Sequence, residues 1–378
     1  MKETKKHTKH TALTKPLGGE YHLNEWAFIG APCDIINNYV RQIAKILSAE
    51  LKVGYLDASH NEVSQEHPYH VYYQDRISYG HIETKTALAQ KQNKKHFSSL
   101  DLMLVNGNHF IGSKQVVFIN DTKKASLERK LDRLTDIRII VIEDRDSSFY
   151  DFLKPLITPK VQIFRMSDIK LIAASIKEDN ETYLPILNGL VLAGGKSQRM
   201  GKDKGGLNYH GKAQREYEAD LISKYCNDVF ISYSETQAEI PASPYKVIKD
   251  TFTGLGPYGA ILSAFRAYPN QAWLTIACDL PLLTNESIAL LVQNRNTSKL
   301  ATCFHNPETK FPEPLITIWE PRAYPVLLEF LSQGYSCPRK VLINTDIEEI
   351  EVSETAFMQN VNDPTAYEEV MKKIKSSN

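Results

Sequence analysis

The chain has 378 residues, more than one hydrophobic core usually serves, so its length favours two domains. Its 45 basic and 45 acidic residues cancel, which argues against a nucleic-acid footprint and against a role on a membrane surface. No apolar run approaches the ~18 residues of a spanning helix, and the charged N-terminus lacks the apolar stretch of a secretory signal.

In chain order, the opening MKETKKHTKHTALTK carries five lysines and reads as a solvated tail, which we expect to run over residues 1–24. His7 and His10 within it are a histidine pair of the kind common at termini, a weak basis for metal capture. From Trp26 onward, short β-branched runs alternate with helical patterns. WAFIG (26–30), KVGYLDA (52–58), LMLVNGN (102–108), QVVFIN (115–120), RIIVIE (138–143) and VQIFR (161–165) are expected strands. DIINNYVRQIAKILSAE (34–50) and SFYDFLKPLI (148–157) have helical periodicity. Apolar strands separated by helices predict a mostly parallel sheet covered on both faces. The polar stretch KEDNET (177–182) then breaks the pattern, giving expected domains of 25–180 and 184–378.

The second half starts a fresh α/β series. Its expected strands are ILNGLVLA (186–193), DVFISYS (228–234), YKVIKD (245–250), AWLTIACD (272–279), LATCFH (300–305) and PLITIW (314–319). Helical patterns cover 213–226, 258–268, 285–295 and 364–375. The five cysteines (33, 226, 278, 303 and 337) include no CxxC pair, which fits reduced thiols in a cytoplasm rather than a zinc site or a disulfide framework.

Residues 190–207, LVLAGGKSQRMGKDKGGL, run from a strand into a loop rich in glycine and cations, suited to an anion. Gly195-Lys196-Ser197 supplies the end of a Walker loop, but that motif needs glycine where Leu190 stands. A one-residue slip would turn the phosphate-binding N–H groups elsewhere, so this is not a P-loop. The loop does fit LAGGxSxRMGxDKxxL throughout. Its glycines allow close backbone approach, while Arg199 and Lys204 offer a fork and a point charge for a polyphosphate. The bland reading is a glycine-rich surface turn with solvated lysines. In ACDLP (277–281), Asp279 ends a buried strand at the mouth of an α/β sheet and is a hard acceptor suited to Mg²⁺ carrying phosphate oxygens. The rival role for Asp279 is capping the helix near residue 285.

With these motifs in order, residues 186–378 resemble the molybdenum cofactor guanylyltransferase (MobA) family of GT-A-like nucleotidyltransferases. HGKAQ (210–214), KVIKDTFTGLGPYGAIL (246–262) and QNVNDPTAY (359–367) are similar to that family's further motifs. The resemblance implies a Rossmann-like nucleotidyltransferase sheet with helices on both faces. Nucleotide contacts would come from Leu192, Ala193, Gly194, Gly195, Lys204, Ser232, Asp250, Gly256, Asn360 and Asn362. Arg199, Lys204 and Asp279 would be catalytic, with Asp279 the magnesium ligand. A carboxylate at Asp250 can accept from N1–H and N2–H of guanine, or it is simply a second hydrogen-bonded strand-end acid. Asn362 has the rival role of helix N-cap. Ala260 stands where the family has glycine, and Asn208-Tyr209-His210 and Ala213-Gln214 also depart from its commonest letters.

More faintly, 99–119 and 51–61 are similar to the MobB-like GTP-binding adapters. The segment FIGAPCDIINNYV (28–40), however, lacks the lysine and paired glycines of a P-loop and carries Asp34 near the lysine position. Asn106 replaces the family's acid, so this expected P-loop-NTPase-like α/β domain reads as a fold kept for binding or scaffolding. The combined expectation is a cytoplasmic enzyme with one active site, using Mg²⁺, GTP and molybdopterin. Molybdoenzymes or their chaperones are expected partners, and nucleic acid and membrane are not. The rivals are a cytidylyltransferase acting on the pterin or on a sugar or alditol phosphate, and a noncatalytic molybdopterin carrier or adapter.

Overall fold

The computed structural model describes residues 13–14, 19–22, 24–58, 71–75, 80–84, 96–143, 149–182, 184–194, 204–234 and 243–377. The chain divides into a first compact unit, Gly18–Tyr183, and a second containing Leu184–Asn378. His7 and His10 lie outside the described residues. Residues 19–22, expected in the tail, instead wrap the buried Glu25. Its carboxylate accepts from the backbone N–H groups of Glu20 (3.0 Å), Tyr21 (2.9 Å), His22 (3.3 Å) and Ser113 (2.9 Å). A carboxylate removed from water needs such donors, which is why this stretch is folded rather than free.

The first unit runs β1 (Glu25–Ile29), α1 (Cys33–Leu47), β2 (Val53–Leu56), β3 (Val71–Asp75), β4 (Gly80–Thr84), β5 (Leu102–Asn106), β6 (Lys114–Phe118), α2 (Lys124–Glu128), β7 (Ile137–Ile142), β8 (Gln162–Arg165) and α3 (Ile169–Glu181). Six strands form a wholly parallel sheet in the order β2-β5-β1-β6-β7-β8, and β3 and β4 pair as a separate hairpin. Alternation along each strand feeds two cores. Phe28, Leu104, Val116 and Phe118 pack with Ile36, Val40 and Ile43 of α1 and Ile172 and Ile176 of α3. Ile29, Val117 and Ile140 face Leu127, Tyr150 and Leu153. The helix expected over 148–157 is only a short 3₁₀ turn at Lys154–Leu156, because Pro155 has no N–H to extend an α-helical ladder. KEDNET does not break structure. It forms the solvated end of α3, where Lys177 pairs with Glu50 at 2.6 Å.

The second unit runs β9 (Leu187–Leu192), α4 (Gln214–Ser223), β10 (Val229–Tyr233), β11 (Lys246–Lys249), α5 (Pro257–Ala267), β12 (Ala272–Ala277), α6 (Asn285–Gln293), β13 (Ala301–Asn306), β14 (Phe311–Trp319), α7 (Ala323–Ser332), α8 (Pro338–Ile343), β15 (Glu348–Ile350) and α9 (Pro364–Ser377). The sheet order is β11-β10-β9-β12-β14-β13-β15. Strands β9 to β12 are mutually parallel, and β14 runs antiparallel to both β12 and β13. Helices α4 and α6 cover one face, against Ile231 and Ile276. Helices α5, α7 and α8 cover the other, against Leu190, Phe230 and Trp273. No helix among the described residues is long and apolar enough to cross a membrane.

Candidate active site

Strand register gathers the second unit's chemistry at one edge. Leu192 pairs with Ser232 of β10 and with Ala277 of β12, so the chain leaves three parallel strands along a single row. The connections from β9 and β12 depart in opposite directions there, which opens the crevice where α/β sheets hold ligands. Ala193 and Gly194 follow β9 at its mouth. A Cβ on Gly194 would overlap the backbone N of Ser234, so only glycine lets the loop leave this close to β10. Gly195 and Arg199 lie outside the described residues.

Asp279 follows β12 by two residues. Its Oδ2 lies 3.8 Å from Lys204 Nζ, and that ammonium donates to Asn362 Oδ1 at 2.7 Å. The backbone N–H of Val361 donates to the Asp279 carbonyl at 2.8 Å, tying the 360–362 segment to the same turn. Burial raises the Asp279 carboxyl above its usual range, and the Lys204 charge opposes that shift. Two buried acceptors, Asp279 Oδ1 and Asn360 Oδ1, have no hydrogen-bond partner among the described residues. Buried acceptors without donors are uncommon, and here two of them belong to one cluster.

The capping alternatives do not hold. The N-cap of α6 is Thr284, which forms a capping box with Ser287, so Asp279 is not used there. At α9 the side chain of Asp363 accepts from the N–H of Ala366 at 2.9 Å, leaving Asn362 to Lys204.

A second pair sits at the next strand ends. The Ser232 hydroxyl donates to Asp250 Oδ1 at 2.6 Å, with both residues buried. Burial pushes the Asp250 carboxyl up to about 6, and the serine bond partly offsets this. Gly256 has φ of +56° and ψ of −137° just before Pro257 opens α5, a backbone that favours glycine. Ala260 needs no such freedom, since it lies inside α5. The close approach falls instead on Gly259, where a Cβ would overlap the carbonyl O of Phe252.

Two residues to which the sequence assigns no role also lie near the Asp279 turn. His210 Nε2 donates to the Pro281 carbonyl at 2.8 Å while its ring stacks on Tyr217, which braces the turn carrying Asp279. Glu218 is fully buried on α4, where burial and the Asp279 charge push its carboxyl well above the usual range. The upward shift favours the protonated form of Glu218, which lessens its repulsion of Asp279. A glutamate on an ordinary helical pattern gives no sign of this in sequence.

Residues 189–348, within the second unit, match the family model described as the MobA-like NTP transferase domain. The molybdenum cofactor biosynthesis bifunctional protein of Synechocystis sp. is 36% identical over 185 residues, covering 49% of this chain and 53% of that protein. The chain thus spans about half the length of that relative. The molybdenum cofactor guanylyltransferase of Pseudomonas putida is 27% identical over 185 residues, covering 48% of this chain and 95% of that protein. Among solved structures, molybdopterin-guanine dinucleotide biosynthesis protein A from Archaeoglobus fulgidus aligns with TM-score 0.43 and 20% identity, covering 50% of this chain and 100% of its own.

Proposed function

We propose that the second unit transfers GMP from GTP to the terminal phosphate of molybdopterin, forming molybdopterin guanine dinucleotide and pyrophosphate. The observation that carries this reading is the Lys204 bridge between Asp279 and Asn362, at the ligand edge of a MobA-like NTP transferase domain. A bare carboxylate oxygen beside an ammonium suits a nucleoside triphosphate arriving with its cation. An acceptor phosphate oxygen forms a bond to the α-phosphorus as the bond from that phosphorus to the bridging oxygen breaks, and the electron pair leaves on pyrophosphate.

The residues then divide the work. The backbone of Leu192, Ala193, Gly194 and Gly195 approaches the nucleotide closely. Lys204 and Arg199 spread the charge that builds on the phosphates, which is electrostatic stabilisation more than proton chemistry. Asp250 keeps one oxygen away from Ser232 and accepts from the guanine edge; Gly256 shapes the neighbouring turn. Asn360 and Asn362 present amides to the bound substrates.

The donor set fits a divalent metal and, within that class, Mg²⁺. Magnesium commonly takes one or two protein carboxylates and completes its shell with phosphate oxygens and water. Asp279 would hold it through its unpartnered Oδ1, with Asn360 Oδ1 as a further hard oxygen. The ion would supply neutralisation of the triphosphate charge.

For the first unit we propose a scaffolding or binding role without nucleotide. Only Gly30, Ala31 and Pro32 connect β1 to α1, too few to wrap a phosphate as a P-loop does. The deciding experiment supplies molybdopterin with each nucleoside triphosphate and measures pyrophosphate and dinucleotide. GTP should be used best; better use of CTP would assign a cytidylyltransferase, and no pyrophosphate with any nucleotide would leave a carrier.

A further inference from the structure

The ligand edge of the first unit carries a constellation that nucleotide transfer leaves unused. Cys33 is the first residue of α1, a helix of 15 residues whose N-cap, Pro32, offers no side-chain cap. Its half-exposed thiol therefore sits in the field of uncapped N–H groups at the positive end of the helix dipole. His109 Nε2 lies 3.2 Å from Cys33 Sγ, within reach of the thiol proton. Asn108 Nδ2 is 3.6 Å from the same sulfur and donates to the Ala31 carbonyl at 2.8 Å.

The imidazole is aimed by the fold. The N–H groups of His109 and Phe110 donate to the Asn106 carbonyl at 3.1 and 3.0 Å, and the N–H of Asn108 donates to Asn106 Oδ1 at 3.1 Å. Asn106 is held in turn through its amide, which donates to Asp57 Oδ1 at 2.7 Å. From the other side Lys130 Nζ donates to the Asn108 carbonyl at 2.8 Å and Arg133 to the Gly107 carbonyl at 3.2 Å. A Cβ on Gly107 would crowd Ile29, so the turn must pass this close to β1. This network fixes one loop residue against one thiol, at the point where β1's neighbours β5 and β6 lie to either side.

Basic side chains gather on one side of the thiol. Lys130 interacts by charge with Cys33 and with Arg133, Lys123 and Arg129. Against these stand Asp34, which is exposed, and Asp57, whose carboxylate is already occupied by Asn37, Asn106 and the Ala58 N–H.

We propose that Cys33 and His109 form a nucleophilic thiol site that exchanges with a small anionic disulfide. His109 Nε2 takes the Cys33 proton as the sulfur attacks one sulfur of the disulfide. A bond forms between Cys33 and that sulfur, the original S–S bond breaks, and the departing thiolate takes the proton from the imidazolium. Cys33 is oxidised to a mixed disulfide and the leaving group is reduced to a thiol, so no further oxidant is needed.

The test mixes the full chain with the dicarboxylate disulfide dithiobis(nitrobenzoate), or with neutral dithiodipyridine, and follows release of the coloured thiol. Peptide mapping after substoichiometric reagent should find the first label on Cys33, ahead of the exposed Cys337. That fast phase should vanish in Cys33→Ser. It should slow about a hundredfold in His109→Ala, the lower end of what a positioned base contributes. Lys130→Gln should erase the preference for the dicarboxylate reagent. Labelling of Cys337 before Cys33 would overturn the site, and mapping of the wild-type chain decides this even where a variant fails to fold. An unchanged rate in a His109→Ala protein with unchanged melting temperature would overturn the base. Equal rates with the two reagents in the wild-type chain would overturn the anionic class.

Discussion

Replacing Asp250 with asparagine should stabilise the second unit while weakening its hold on GTP. Burial raises the Asp250 carboxyl from 3.8 to about 6. Between those values the folded chain keeps a proton that the unfolded chain has released, so stability falls as pH rises through that window and stays lower above it. The rise from 3.8 to about 6, at about 1.4 kcal/mol per tenfold change in proton affinity, corresponds to a penalty on the order of 3 kcal/mol at neutral pH. Asparagine has no such proton, and its carbonyl can still accept from Ser232. Asp250→Asn should therefore melt on the order of 5–10 °C above wild type at about pH 7.5, with the gap shrinking toward zero near pH 4. In the same series GTP affinity of the wild type should fall as pH drops below about 6, because a protonated Asp250 loses an acceptor for the guanine edge; the variant should show no such dependence. Thermal melts across pH, paired with titration calorimetry of GTP, read both. A stability gap that is the same at low and neutral pH would refute the burial account. A variant less stable than wild type at neutral pH would refute it as well.

Asp279→Asn should abolish pyrophosphate release while leaving the melting temperature near wild type, since Oδ1 makes no hydrogen bond among the described residues and Val361 uses the backbone carbonyl. Turnover near wild type in that variant would remove the metal assignment. Lys204→Met should lower kcat/KM by about tenfold to a hundredfold, matching the roughly 1.5–3 kcal/mol of a hydrogen bond to a charged group; steady-state kinetics with GTP check it. In Gly194→Ala the new methyl must displace the start of the chain after β10, so unfolding by urea should show a loss of about 1–3 kcal/mol together with weaker GTP binding.

Most of the strands were legible because their residues are apolar on both faces, as in β5 and β12, where every position is buried. Helix α1 was equally plain from its spaced Ile36, Tyr39, Val40, Ile43 and Leu47. The 148–157 segment misled because Tyr150 and Leu153 keep helical spacing while Pro155 stops the ladder from forming. Helix α7 carries Pro325 in its first turn and α8 spans only six residues, so neither shows a helical period in the sequence. At the site, Asp279 and Asp250 stood out as acids ending apolar strands. The contribution of Asn362 was open between capping and binding until Asp363 took the cap. His210 bonds the Pro281 carbonyl and Glu218 feels the Asp279 charge, both across a long stretch of chain, and no local pattern announces such a pairing. In the first unit, Cys33 and His109 lie on separate elements and meet only because β1 and β5 are neighbours in the sheet.

The bond from Val361 to Asp279 also has a consequence for synthesis. Asp279 and its strand are made well before the segment that brings Asn360, Val361 and Asn362 beside them. A chain arrested between α7 and residue 360 can fold β9 to β12 around their apolar cores yet lacks the strap that holds Lys204 and braces the Asp279 turn. The nucleotide transfer proposed for this edge would thus wait in the growing chain until the sheet beneath it has been made.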